Sequence, residues 1–275
     1  MNIKELSPDS SPQASFGAQL RSHREELGMT QDQMAERTGY SPGHISSVET
    51  GRKPPTLRFA RQVDRVFDTG TKFANLFLDV RASSLLQGFG QYIVEEAKAR
   101  ELRMFEIGII PGLLQTPEYA AALTTAAVSR GSITEAQADE RLRVLANRQR
   151  LLARVPAPQL YAILDESCIR RTVGGRRIMV AQLDYLVEVA SLPHMTLQVA
   201  PYSMGEARSL NLPVYLPVLP DRSVAAYSEG AQQGWFERDP AEVQALLTSY
   251  HHLQVEALPQ AASVALISKV REDIQ

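Results

Sequence analysis

Apolar positions recur every three to four residues from Phe16 onward. The spacing of Phe16, Leu20, His23 and Leu27 predicts a helix that Gly28 stops as a C-cap glycine. Thr30 stands at an N-cap position with Gln33 three residues on, the capping-box arrangement. It opens a short helix that turns Met34 and Ala35 inward before Gly39 ends it. Ser41 caps a third helix with Pro42 at its first position, where the missing N–H costs nothing; Ile45 and Val48 face the core and Gly51 closes it. After the Pro54-Pro55 break, Leu57, Ala60, Val63 and Phe67 define a fourth helix, and Phe73, Leu76, Phe77 and Val80 a fifth. Residues 1–15 are rich in Ser and Pro, lack this periodicity and read as a flexible arm. The expectation is an all-α, five-helix amino-terminal domain over residues 16–82.

From residue 83 to 275 helical patterns alternate with short apolar runs, which predicts a larger α+β domain. Helices are expected over 85–104, 117–128, 134–153, 177–191, 240–257 and 260–274, and strands over 105–110, 160–164, 195–199, 210–218 and 223–229. In the run from Leu210 to Pro220, Pro213 and Pro217 remove donors from one side of the strand. That side is expected to sustain no ladder, making the run an edge strand and leaving subunit or partner contacts to helices.

Composition narrows the function classes. The 275 residues are 44% hydrophobic and 22% charged, with 29 basic against 31 acidic side chains, so nothing pulls the whole chain toward DNA or a membrane and any nucleic-acid binding must be local. One cysteine, Cys168, forbids an internal disulfide and a cysteine-rich metal cluster. No apolar run approaches the ~20 residues that cross a bilayer, and the first residues lack a signal-peptide pattern. The expected place is the cytoplasm, and the nucleoid when DNA is bound.

The segment MTQDQMAERTGYSPGHISSVETG, residues 29–51, is two short capped helices around a glycine turn, the punctuation of a helix-turn-helix. Through Thr30-Gln31, Met34-Ala35, Gly39-Tyr40-Ser41, Ile45, Val48, Glu49 and Gly51 it resembles the lambda-repressor-like Xre family over residues 16–68. The resemblance implies double-stranded DNA as the partner and a contact set of Gln31, Ser41, Pro42, Gly43, His44, Ser47, Thr50, Arg52 and Lys53. Gln31 at a helix start and the Arg52-Lys53 pair on a tight turn suit phosphates. The recognition helix, 42–50, presents Pro42, Gly43, His44 and Ser47 where other members carry Gln, Asn or Arg. Paired base contacts are therefore scarce and specificity is expected to be modest. Arg58, Arg61 and Arg65 read as a solvated face interleaved with Asp64 and Asp68. A single such module buries little surface, so a homodimer reading two half-sites is expected.

The most conspicuous stretch beyond is LDESCIRRTVGG, residues 164–175. Cys168 has no recognisable base among His194, His251 and His252, and reads as a small packed residue. Asp165 and Glu166 are neighbours whose side chains diverge on a strand end, and His251-His252 lack the i, i+4 spacing that zinc ligation on a helix needs. No enzyme activity, metal or cofactor is expected. PGLLQTPEYA at 111–120, Arg148-Gln149, the LDE at 164–166, Arg170-Arg171, Gly174-Gly175 and Gln182-Leu183 resemble the antitoxin-like carboxyl-terminal region of actinobacterial Xre regulators. That resemblance implies control by a small acidic partner protein encoded nearby. Two alternatives stay open: an antitoxin-like module that sequesters its partner and regulates itself by binding DNA, and a ligand-sensing repressor. The last needs a pocket, for which Tyr202, Tyr215, Tyr227, Trp235 and Phe236 are candidates, although aromatics in strand-rich segments mostly fill cores.

Overall fold

A computed structural model describes residues 12–82, 88–230 and 234–274. The chain divides between Val94 and Glu95 into two units, each with its own buried core. Among the described residues the first unit holds α1 (Pro12–Glu26), α2 (Gln31–Thr38), α3 (Pro42–Glu49), α4 (Leu57–Phe67), α5 (Lys72–Ala82) and the start of α6 (Phe89–Lys98). Phe16, Leu20, Met34, Ile45, Val48, Phe59, Val63 and Phe73 make its core. α1 begins four residues earlier than the periodicity predicts, because Ala14 is buried and the Gln13 amide donates to the Gly51 carbonyl at 2.7 Å. The rest of the expected arm, 1–11, lies outside the described residues, as do residues 83–87, where the second domain and its first helix were expected to start.

Leu27 departs from the expected stripe. Gly28 (φ +62°) donates to Glu25 and Met29 donates to Arg24, a Schellman closure that ends α1 at Glu26 and leaves Leu27 56% exposed. The inward position one turn after Leu20 belongs to Arg24 instead.

Gly17 is where α1 meets α3. A Cβ there would stand 2.5 Å from the Val48 carbonyl oxygen and 2.9 Å from that of Glu49, both backbone atoms that cannot swing aside. Gly17→Ala is expected to cost about 1–3 kcal/mol through overpacking. Hydrogen exchange of the α1 and α3 amides in the full chain checks it; protection equal to wild type would mean the helices separate without cost.

The second unit is built on a mixed six-stranded sheet. Its strands are β1 (Glu101–Glu106), β2 (Gln159–Asp165), β3 (Met195–Ala200), β4 (Val214–Val218), β5 (Ala226–Glu229) and β6 (Gly234–Glu237), in the order β3-β2-β1-β4-β5-β6. β1, β2 and β3 are parallel, and β4, β5 and β6 continue antiparallel from β1. α7 (Pro117–Ser129) and α8 (Glu135–Gln149) fill the first crossover, α9 (Glu166–Arg170) and α10 (Arg176–Val189) the second, and α11 (Pro240–Glu256) and α12 (Gln260–Ile274) end the chain. Val243, Tyr250 and Leu253 of α11 pack with Phe105, Ile163, Val214, Leu216 and Ala226 from the sheet. The free side of β3 is closed by α12, where Gln260 Oε1 accepts from Leu197 N–H and Ser263 Oγ from Val199 N–H.

Three expectations fail here. The helix over 85–104 stops at Lys98, and residues 101–106 form β1 where a strand over 105–110 was expected. Leu102 and Phe105, three apart, fit a helical stripe as well as a strand buried on both faces. The segment expected at a sheet edge is interior, β4 pairing with β1 on one side and β5 on the other. Pro213 lies outside β4, Tyr215 pairs with Tyr227 beyond it, and the Pro217 carbonyl accepts from Ala225 N–H at 3.2 Å. The prolines thus shorten the β4–β5 ladder without forbidding it. β6 was not anticipated, since GWFE is too short to show a period.

Candidate nucleic-acid interface

The second and third helices are fixed by their caps. Thr30 Oγ1 accepts from Gln33 N–H while the Gln33 side chain accepts from Thr30 N–H, and Gly39 closes α2 in the left-handed region at φ +74°. Ser41 Oγ accepts from His44 N–H, with Pro42 next in the first turn of α3. α3 closes by a Schellman motif: Gly51 (φ +64°) donates to the Val48 carbonyl at 3.0 Å and Arg52 donates to that of Ser47 at 2.8 Å.

Under α3 lies a buried polar hub that the sequence reading missed. Glu49 is 0% exposed and accepts from Arg24 (Nε at 2.5 Å, Nη2 at 3.1 Å) and from Gln31 Nε2 at 2.8 Å, with Arg21 Nε 3.6 Å away. Arg24 also donates to the Met29 carbonyl at 2.7 Å, and its hydrogen bond to Glu49 raises its pKa above the ordinary arginine value. The hub joins the end of α1, the start of α2 and the end of α3. A signal was present: Arg24 lies four residues after Leu20 and Glu49 four after Ile45, each charge on a core stripe.

The hub turns the one carboxylate of α3 inward, so the face opposite Ile45 and Val48 carries no negative side chain. Ser41, Pro42 and Gly43 are exposed on it, and a Cβ at Gly43 would meet nothing within 4 Å. Ser47 and Thr50 are half-buried, their hydroxyls donating to the carbonyls of Gly43 at 2.7 Å and Ser46 at 2.6 Å. Arg52 and Lys53 are exposed at the end of the helix. Gln31, expected on a phosphate, has its amide committed to Glu49.

His44, expected to face outward, is turned in. Its ring stacks on Tyr40 at 4.6 Å and meets Phe59 edge-on at 5.1 Å, and its Nε2 is buried with no hydrogen-bond partner among the described residues. Burial, with the Lys53 charge nearby, holds its pKa below the usual histidine range, so the ring is neutral at pH 7. Aromatic packing wins over solvation because two rings are already placed to receive it. Asp64 is also inward: its carboxylate accepts from Thr69 Oγ1 and from the N–H groups of Phe73 and Ala74, capping α5. Exposed Arg58, Arg61 and Arg65 on α4 therefore lack the neutralising neighbour expected at that position.

In the second unit Cys168 is buried, its Sγ donates to the Glu106 carbonyl at 3.3 Å, and burial pushes the thiol pKa far up. Asp165 accepts from Ser167 and Arg208, and Glu166 from Arg170 and Tyr202 N–H. Tyr215 and Tyr227 are buried in the sheet while Tyr202 and Trp235 are largely exposed, so the aromatic set does not share one environment. Among the described residues no group of three His, Cys, Asp or Glu side chains is placed to hold a metal, and no helix is long and apolar enough to cross a membrane.

Residues 15–72 match the family described as "Helix-turn-helix domain", and residues 89–269 match "Domain of unknown function (DUF5753)". An "Uncharacterized HTH-type transcriptional regulator" of Methanothermobacter thermautotrophicus is 44% identical over 46 residues, which span 17% of this chain and 67% of that protein. No solved structure matches the chain.

Proposed function

Because the chain belongs to the DUF5753 family and carries a helix-turn-helix domain ahead of that region, we propose that it is a sequence-specific DNA-binding transcriptional regulator. It acts as a homodimer of the Xre type, on the nucleoid, and is controlled through its second unit by a small acidic partner protein. The observation that carries the DNA reading is the outward face of α3, cleared of its carboxylate by the Arg24–Glu49 pair and ended by two cations. Dimerisation is supported by arithmetic: a module of this size buries roughly 600–1,000 Å² on DNA, and two half-sites about one helical turn apart multiply the selectivity. The partner reading is supported by exposed Arg171, Arg176 and Arg177 around the Gly174-Gly175 turn, a basic cluster that suits acidic side chains. The protein is a binding protein and not an enzyme in this reading; buried Cys168, held as a thiol, supports that.

Lys53 is assigned to a phosphate. Lys53→Ala is expected to weaken binding to every duplex alike and to reduce the slope of log affinity against log salt by ~0.9. A salt titration with unchanged slope would remove Lys53 from the interface. His44→Ala, by contrast, acts through the packing of Tyr40 and Phe59, and is expected to lower helix stability more than base preference.

A further inference from the structure

We propose that Arg52 is the side chain that reads sequence, through guanine in the major groove, rather than a second phosphate contact. The inference rests on the DNA-binding reading above and adds which residue confers preference. The Schellman closure places the Arg52 Cα by a hydrogen bond from its own N–H to the Ser47 carbonyl, so the chain doubles back at Gly51. The side chain then lies on the last turn of α3: Nε donates to Thr50 Oγ1 at 2.9 Å and Nη2 reaches Ser46 Oγ at 3.4 Å. Thr50 Oγ1 is itself anchored, donating to the Ser46 carbonyl at 2.6 Å.

These bonds use one edge of the guanidinium. Of its five N–H groups, the Nε–H and the neighbouring Nη2–H face the helix hydroxyls. The two Nη1 hydrogens and the outer Nη2 hydrogen remain, and Nη1–H and Nη2–H form a parallel fork. Two parallel donors match the O6 and N7 acceptors that guanine presents in the major groove, the commonest specific pairing there. Nothing else on this face offers such a fork: Pro42 and Gly43 bring no donor side chain, His44 is turned in, and the Ser47 and Thr50 hydroxyls already donate to carbonyls. A phosphate-gripping arginine needs only reach and charge. One held edge-on by two hydroxyls of the recognition helix has the restricted orientation that base reading requires.

The test is selection from a randomised duplex pool by the full-length chain, in wild type, Arg52→Ala, Arg52→Lys and Lys53→Ala forms. Wild type is expected to enrich a motif with a guanine fixed at one position of each half-site. Arg52→Ala and Arg52→Lys are both expected to lose that preference, about tenfold or more, while keeping preference at the other positions; lysine keeps the charge but not the fork. Lys53→Ala should keep the guanine. Arg52 variants that enrich the wild-type motif unchanged, and merely bind all duplexes more weakly with a salt slope ~0.9 shallower, would return Arg52 to a phosphate and overturn the inference alone. A wild-type chain that enriches no motif would overturn the DNA-binding reading and this inference with it.

Discussion

Glu49→Ala is expected to destabilise the first unit by about 3–5 kcal/mol, the usual consequence of stripping one partner from a buried ion pair. Arg24, only 8% exposed, would keep the Met29 carbonyl and the exposed Glu25 carboxylate at 3.2 Å but lose both bonds to Glu49, the one buried carboxylate it meets, leaving a guanidinium largely out of water with only a solvent-screened partner. Gln31 would lose its acceptor as well, so the start of α2 and the end of α3 loosen together and DNA affinity falls with stability. The effect belongs to the buried charge left without its buried partner more than to the pair. Arg24→Met/Glu49→Leu is therefore expected to be clearly more stable than Glu49→Ala, since apolar replacements of a buried pair are often neutral or better. Hydrogen exchange of the α1–α3 amides reads both variants. Wild-type protection in Glu49→Ala would show that the hub contributes nothing.

The second large effect is a pH dependence of the other unit. Burial pushes the Glu106 carboxyl from 4.5 to about 8, against the lowering influence of its hydrogen bond with Tyr215. The folded state therefore keeps a proton that the unfolded chain releases above pH 4.5. Across that window the folded state binds more protons, so stability falls as pH rises, by up to about 1.4 kcal/mol per pH unit, and levels off above about 8. Glu229, also raised by burial, adds a change of the same sign, while Arg148 nearby opposes both. Glu106→Gln keeps a neutral group beside Tyr215 at every pH and is expected to flatten the dependence and to be the more stable form at pH 8. Urea unfolding between pH 5 and 9, followed by the single tryptophan, Trp235 on β6, measures it. Equal pH slopes in the two proteins would mean that Glu106 is ionised in the folded state.

What could be read from the chain followed the reach of each signal. Caps and C-terminal glycines act within four residues, so Thr30, Gln33, Gly39, Ser41 and Gly51 stand where their residue types say they should. The contacts that orient the interface act over longer separations. Arg24 meets Glu49 across 25 residues, and His44 is turned by Phe59, which belongs to the next helix. Neither pairing has a local period. In the sheet the same limit appears as position: the prolines flanking Tyr215 say which donors are missing, but not whether a neighbour comes to use those that remain. Asp64 looked like one of several alternating surface charges because its targets, the amides of Phe73 and Ala74, lie nine and ten residues on.

Sequence-specific binding is measured most directly by the affinity of the whole 275-residue chain for a duplex enriched from a random pool, against a scrambled duplex of equal length and composition, by fluorescence anisotropy at physiological salt. Because one forked contact is worth about tenfold or more, a preference above about tenfold is expected, with both affinities falling steeply as salt rises. Equal affinity for the two duplexes, or no binding to either, would contradict it.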